Sequence, residues 1–495
     1  MLKKILFFAV LLGLFSSISM ANVLDFLPAN TSMFIYFENN EANYTKLKEV
    51  PLFDFALQSM GIEFMISLNL NQLATSQNIK DPAKIWDILK GDVVLFSTSS
   101  PEEELKNLES EVPTSPKEVS PDELLKNLQS MNFCVVIQPK GNSKEALETL
   151  KKLLSAMEVN LDELGVKLLE YSGYILLSNS DDLISQAEKA YSGQNKFADN
   201  PEVSKDLVKL LSKDSWIKIF AKSTDPEKLL KDLSKSDVEI PVKYGNYLGW
   251  AYFEDKKLVG NGHVDYEITD ESLKLKQPIA DVEELESKFS FPGQIFIFAN
   301  LADAMKRIDY IFDKISEVVK NQDMSESDEE DFDTTMVIVK NLITKFDGKI
   351  SAGVKVGQSA TATNFVAEAG LSKVDDELKM FLKELSEKTI DYNGKTLYIL
   401  GEEEGIEFKA FVEGNKLFVT SLNPDELNSV WNQGEVVKSN SLYNELSQNE
   451  KGAQLRIFAD LGQILAEFLG MPVNSGLLID TFVGENSIDN RLIIK

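Results

Sequence analysis

Cysteine and histidine occur once each, as Cys134 and His263, and arginine only at Arg307, Arg456 and Arg491. One cysteine and one histidine cannot build the common zinc sites, attach haem c, ligate an Fe–S cluster or close an intramolecular disulfide. The chain also lacks a G-x-S-x-G elbow, a phosphate-binding Walker loop, a dinucleotide fingerprint and an H-E-x-x-H pair. Beyond the N-terminus no apolar run reaches the roughly 20 residues that a spanning helix needs. No cofactor is expected, and no catalytic motif marks an enzyme.

What is present is acid. Asp and Glu number 79 against 51 Lys and Arg, for a net charge of −28. So acidic a chain is repelled by nucleic-acid phosphates and by anionic lipid surfaces, and it attracts cations. With 43% hydrophobic residues the chain can bury substantial cores. Its 495 residues suit roughly two to four domains.

Residues 1–21 read as a secretory signal. Lys3 and Lys4 precede the apolar stretch Ile5–Leu14, and Ser19-Met20-Ala21 places small residues before a cleavage site at Asn22. A periplasmic or cell-surface protein follows as the expectation, with an N-terminal membrane anchor as the alternative. No cysteine near that site would carry a lipid.

Segments recur in the same order in the two halves. Met33-Phe34-Ile35-Tyr36 matches Ile295-Phe296-Ile297-Phe298, and Asn132-Phe133-Cys134-Val135 matches Asn364-Phe365-Val366-Ala367. Tyr174-Ile175-Leu176-Leu177-Ser178 matches Leu417-Phe418-Val419-Thr420-Ser421, and Trp216–Lys222 matches Gln454–Asp460. Within each half, short apolar strands mix with amphipathic helices. Leu147, Leu150 and Leu154 share one helical face, as do Val374, Leu378, Phe381, Leu382 and Leu385. Along 215–222 and 453–460, Ile217, Ile219 and Ala221 alternate with Lys218, Phe220 and Lys222, and Leu455, Ile457 and Ala459 with Arg456, Phe458 and Asp460. The wholly apolar set is expected to face the core and the mixed set to be partly wet. The fold class is α+β: two tandem, diverged copies of a mostly antiparallel sheet with amphipathic helices packed on one face.

The first module is expected over 22–268, a linker over 269–290 and the second module over 291–495. The first carries a helical insertion at 99–130, where Ser100-Pro101-Glu102-Glu103 and Ser120-Pro121-Asp122-Glu123 each have capping-box chemistry. The second carries an acidic loop at 321–335. Glu326, Asp328, Glu329, Glu330, Asp331 and Asp333 of that loop are candidates for weak divalent-cation binding, although an EF-hand's spacing and glycine are missing.

Other candidates have bland readings. His263 shares a strand face with Asn261 and Asp265, but the second half carries Arg491 at the corresponding place, so a solvent-facing cation accounts for both. Cys134 aligns with Val366 among apolar neighbours and reads as a small core residue. Ser215-Trp216-Ile217-Lys218 satisfies Ser-x-x-Lys, but on a strand the two side chains point to opposite faces. Trp86, Trp216, Trp250 and Trp431 are too scattered for a sugar platform and read as packing residues.

Leu27-Pro28-Ala29-Asn30-Thr31-Ser32, leading into the apolar strand Met33–Phe37, resembles the opening of a family of exported bacterial proteins of unknown function. Members have a signal or anchor, an L-P-A-D/N-T/S lead-in to a strand, and long α+β modules. The second half departs from this with Phe291-Pro292-Gly293-Gln294. The resemblance implies export and modular α+β structure, and transfers no catalytic residue.

The functional expectation is an exported, non-enzymatic envelope protein acting as an interaction or scaffold module, with an envelope protein or apolar ligand as partner and no nucleic acid. Alternatives are a periplasmic carrier of a lipid or other apolar molecule, motivated by apolar strands 132–137 and 294–299, and a carboxylate-based hydrolase, whose chemistry needs neither histidine nor cysteine.

Overall fold

The computed structural model describes residues 23–99, 132–223, 241–274, 279–316 and 332–495, apart from short gaps at 78, 80–82, 89, 158, 308–309, 311, 315, 333–335, 338, 360–361, 404, 434–436 and 449. The signal segment, the helical insertion beyond Ser99 and all six acidic-loop candidates lie outside the described residues. Among the described residues no helix is long and apolar enough to cross a membrane. The chain divides into two compact units, Met1–Thr224 with Tyr244–Asp265, and Asp225–Lys243 with Tyr266–Lys495.

The first unit is built on strands β1 (Met33–Phe37), β2 (Val93–Ser97), β3 (Cys134–Ile137), β4 (Lys167–Tyr171), β5 (Tyr174–Ser178), β6 (Ile217–Ala221), β7 (Val242–Glu254) and β8 (Lys257–Ile268). Antiparallel pairings give the order β7-β6-β1-β2-β3-β5-β4. One face of this sheet presents Phe34, Tyr36, Val94, Phe96, Cys134, Val136, Leu176 and Phe220 to a core closed by helices α3 (Asp181–Tyr191) and α4 (Ser204–Leu211). The opposite face presents Val93, Ile137 and Ile175 to a second core, closed by α1 (Ile62–Ser76) and α2 (Ser143–Ala156). Alternation along each strand sends neighbouring residues to opposite cores. Helix α2 starts where the Asn142 side chain accepts from the Lys144 and Glu145 N–H groups, and it buries Leu147, Leu150 and Leu154 as its spacing predicts.

The second unit contains β9 (Ile295–Asn300), β10 (Phe346–Lys355), β11 (Asn364–Leu371), β12 (Lys388–Tyr392), β13 (Lys395–Glu403), β14 (Ile406–Glu413), β15 (Lys416–Thr420), β16 (Leu455–Ala459), β17 (Leu477–Val483) and β18 (Ser487–Ile494). Their order is β18-β17-β16-β9-β10-β11-β15-β14-β13-β12, again antiparallel. Helix α5 (Glu283–Lys288) precedes β9, and α6 (Asp376–Leu385) follows β11. Leu378 and Leu382 of α6 are buried with Leu417 and Ala410, while Leu385, expected on the same face, is exposed at the last helical residue.

The α+β architecture with antiparallel sheets is present in both units, and the two strand orders match: β7-β6-β1-β2-β3-β5-β4 corresponds to β17-β16-β9-β10-β11-β15-β14. The registers match too. Phe34 lies opposite Phe220, and Phe296 opposite Phe458, each pair stacked with ring centroids 5.6 and 6.2 Å apart. Ser178 Oγ donates to the Phe133 carbonyl at 2.6 Å, and Thr420 Oγ1 to the Phe365 carbonyl at 2.7 Å. This pairs Ser178 with Thr420, one residue away from the match expected from sequence. A one-residue slip exchanges the faces of a strand, so the hydrogen-bonded register decides.

Three expectations are corrected. The core face of β6 and β16 is the mixed one: Lys218, Phe220, Arg456 and Phe458 are buried, whereas Ile217, Ile219, Leu455 and Ile457 are half-exposed. Phe220 and Phe458, the largest side chain of each strand, pack into the core, and the cations beside them are neutralised inside. Helices cover both faces of the first sheet instead of one alone. Residues 279–290 belong to the second unit rather than to a linker: Val282, Glu286 and Phe289 are buried there, and Val282, Leu285 and Phe289 share a helical spacing.

Candidate functional site

Most residues singled out from sequence prove structural. Cys134 is fully buried, its thiol pushed up by burial, and it sits among Phe96 and Val136. The His263 ring is only 14% exposed and meets Asp265 at 3.1 Å. Arg491 reaches Glu450 at 2.8 Å with its side chain 27% exposed. Neither is therefore a simple solvent-facing cation: each is held against a carboxylate. The Ser215 hydroxyl donates to the Lys213 carbonyl, and Lys218 Nζ reaches the carbonyl of Ser215, at 3.1 Å, rather than its hydroxyl, so the Ser-x-x-Lys match brings no hydroxyl to an amine. Trp216 stacks on Phe253 and Trp250 lies under Lys213 Nζ at 4.6 Å, as packing residues. The side chains of Trp86 and Trp431 lie outside the described set. Among the described residues no three His, Cys, Asp or Glu side chains converge as a metal site.

Lys218 and Arg456 occupy the same register position in the two units, 1% and 3% exposed. Lys218 pairs with the Glu38 carboxylate and lies 5.6 Å over the Tyr36 ring. The Tyr36 hydroxyl donates to Asp92 at 2.9 Å, and burial, reinforced by the charges of Asp92 and Glu38, pushes that phenol up. Arg456 forms a fork on Asp480 at 2.6 and 2.7 Å and also donates to Glu286, Tyr443 and the Glu450 carbonyl. A buried cation so fully satisfied fixes geometry and leaves no donor for a ligand.

The second unit opens a cleft of about 380 Å³ over β10, β11 and β15, walled by α5. Its floor holds Ser351, 0% exposed, and Glu368, 6% exposed, which face each other across β10 and β11. Glu368 accepts from Lys416 Nζ at 2.7 Å. The Ser351 Oγ has no protein hydrogen-bond partner. At the rim, Glu284 accepts from Lys288 at 2.5 Å and from Lys349 at 3.1 Å, and these two hydrogen bonds pull its carboxyl down to about 2. Glu413 accepts from Lys395 at 2.6 Å. A register irregularity in β10 carries Asp347 over Gly370, where a Cβ would lie 2.2 Å from Asp347 Oδ1, so a side chain at 370 would push this carboxylate aside.

The same strand positions in the first unit are apolar. Phe34 and Phe296 fix the frame, so that Ser351 corresponds to Val94, Glu368 to Val136 and Lys416 to Tyr174. Val94, Val136 and Tyr174 belong to one dry core, capped by Phe26, which stacks on Tyr191 at 4.4 Å and meets Tyr174 edge-on at 4.9 Å. Gly353 stands where the first unit has Phe96, and the Phe289 and Phe291 rings occupy that space. The signal for the cleft was present in sequence. Extending the Asn132/Asn364 match by one residue sets Glu368 against Val136.

No family model matches the chain. No curated protein matches either. Two solved structures resemble part of it, crystal forms III and I of TP0453, each 9% identical. They cover 44% of this chain and 94% and 79% of their own, with TM-scores of 0.26 and 0.25.

Proposed function

We propose that this is an exported, non-enzymatic envelope protein that acts by binding, with the second unit's cleft as its recognition site. The observation that carries this reading is the exchange of Val94 and Val136 for Ser351 and Glu368 within one strand order. A buried hydroxyl without a protein partner is costly in the free protein and is retained where a ligand supplies the partner. The first unit then serves as a filled scaffold of the same descent. The basic and apolar N-terminal segment supports export.

The hydrolase alternative gains nothing from the cleft. Glu284 is held by Lys288 and Lys349, which favours its charged form and does not suit it to donate a proton as general acid. The carrier alternative also loses its motive: Cys134, Val136, Phe296 and Phe298 of the apolar strands are buried core residues rather than the lining of an apolar cavity.

The test compares the mature chain with the double variant S351V/E368V after incubation with envelope extract, identifying retained small molecules and proteins. A component held by the native chain and lost by the variant is the expected result. Identical retention by both would overturn the assignment of the cleft, and turnover of a retained component would overturn the non-enzymatic reading.

A further inference from the structure

Resting on that reading, we propose that the cleft takes a neutral, polyhydroxylated ligand of saccharide type. The first reason is charge. Glu284, Asp347, Glu368 and Glu413 line the cleft with Lys288, Lys349 and Lys416, so the two signs nearly cancel. Each of the three lysines is already engaged by a carboxylate: Lys288 and Lys349 by Glu284, and Lys416 by Glu368. An anion would have to draw these ammonium groups away from their partners. A cation would have to approach three of them. Neither gains what an open patch of one sign offers.

The second reason is the unused hydrogen-bonding capacity. A paired carboxylate keeps free lone pairs and a paired ammonium keeps free protons. Acceptors and donors therefore alternate around the cleft, and a hydroxyl group serves both. The third reason is Ser351. Its buried Oγ can donate or accept, so one ligand hydroxyl satisfies it in either sense, where an ammonium or a phosphate satisfies only one. Leu285 adds an apolar wall for the C–H face of a ring. A volume of about 380 Å³ falls at the small end of ordinary ligand sites.

The closing experiment titrates the whole mature chain calorimetrically with glucose, N-acetylglucosamine and maltose, and in parallel with spermidine and inorganic phosphate. Saturable binding of at least one saccharide is expected, weakened about tenfold by Ser351→Val, the equivalent of one lost neutral hydrogen bond. Glu368→Gln, which keeps the side chain's size and one acceptor, is expected to weaken it less. Binding of spermidine or phosphate, lost in Ser351→Val, with no saccharide bound, would overturn the ligand class and leave the cleft a binding site. Saccharide binding that both variants leave unchanged would place the sugar elsewhere and overturn the inference. No binding by any probe would overturn the inference together with the cleft's assignment.

Discussion

The two units run the same strands in the same order and spend the middle of the sheet differently. In the first, Val94, Val136 and Tyr174 join a core roofed by Phe26 and Tyr191. In the second, Ser351, Glu368 and Lys416 stand at those positions under a short helix with Glu284 and Lys288 on its cleft side. The sheet's pairing rests on backbone hydrogen bonds, which do not depend on these side chains. The flanking Phe34/Phe220 and Phe296/Phe458 stacks hold both sheets in register. A polar site can therefore replace a dry core locally, provided the aromatic neighbours remain.

Exchanging residues between the units tests this contrast most severely. Val136→Glu should cost about 4 kcal/mol or more in urea unfolding, since a carboxylate would be buried without a partner. The reverse exchange, Glu368→Val, should cost no more than about 1 kcal/mol, because it frees only the solvent-exposed Lys416. Equal costs would erase the difference between the units.

Next in size is the buried cation. Asp480→Ala should cost about 3–5 kcal/mol, as it strips the fork from Arg456. Glu38→Ala in the first unit should cost clearly less, because Glu38 is 45% exposed and water can replace it at Lys218. Gly370→Ala should cost no more than about 1 kcal/mol, since only the end of the Asp347 side chain has to swing aside. Ser351→Val should stabilise the free protein by about 1 kcal/mol, by removing the unpartnered hydroxyl. A loss of stability there would mean that Ser351 is structural.

The smallest effect concerns pH. Glu284 titrates near 2 in the folded state, below an unfolded carboxylate's ordinary value. Its contribution is present above that ordinary value and is lost as pH falls toward about 2. Lys349→Met should flatten the acid limb of the stability profile slightly, and an unchanged limb would show that the rim pair contributes nothing.

Much of the fold was legible. The strands at 33–37, 134–137, 217–221 and 455–459 and the helices after 143 and 376 follow from alternation, helical spacing and capping residues. Apolar uniformity alone points to the wrong core face of β6. Ile217, Ile219 and Ala221 look like the core set, yet Phe220 fills more space, and Lys218 is neutralised by Glu38 from another strand end. Such long-range pairing leaves no local trace. Thr269-Asp270 and Gln277-Pro278 carry loop chemistry that suggests a linker, while the helix between Val282 and Phe289 is too short to stand out. The cleft was missed for a related reason: Ser351 and Glu368 are unremarkable residues until the strand register sets them opposite each other and against Val94 and Val136.

The most direct measurement is a high-resolution crystal structure of the mature chain grown with the saccharide that binds most tightly. The expected result is a ligand hydroxyl within hydrogen-bond distance of Ser351 Oγ and Glu368, with the space around Val94 and Val136 closed by Phe26 and Tyr174. A sugar bound elsewhere, or Ser351 Oγ bonded to the protein within a closed cleft, would contradict it.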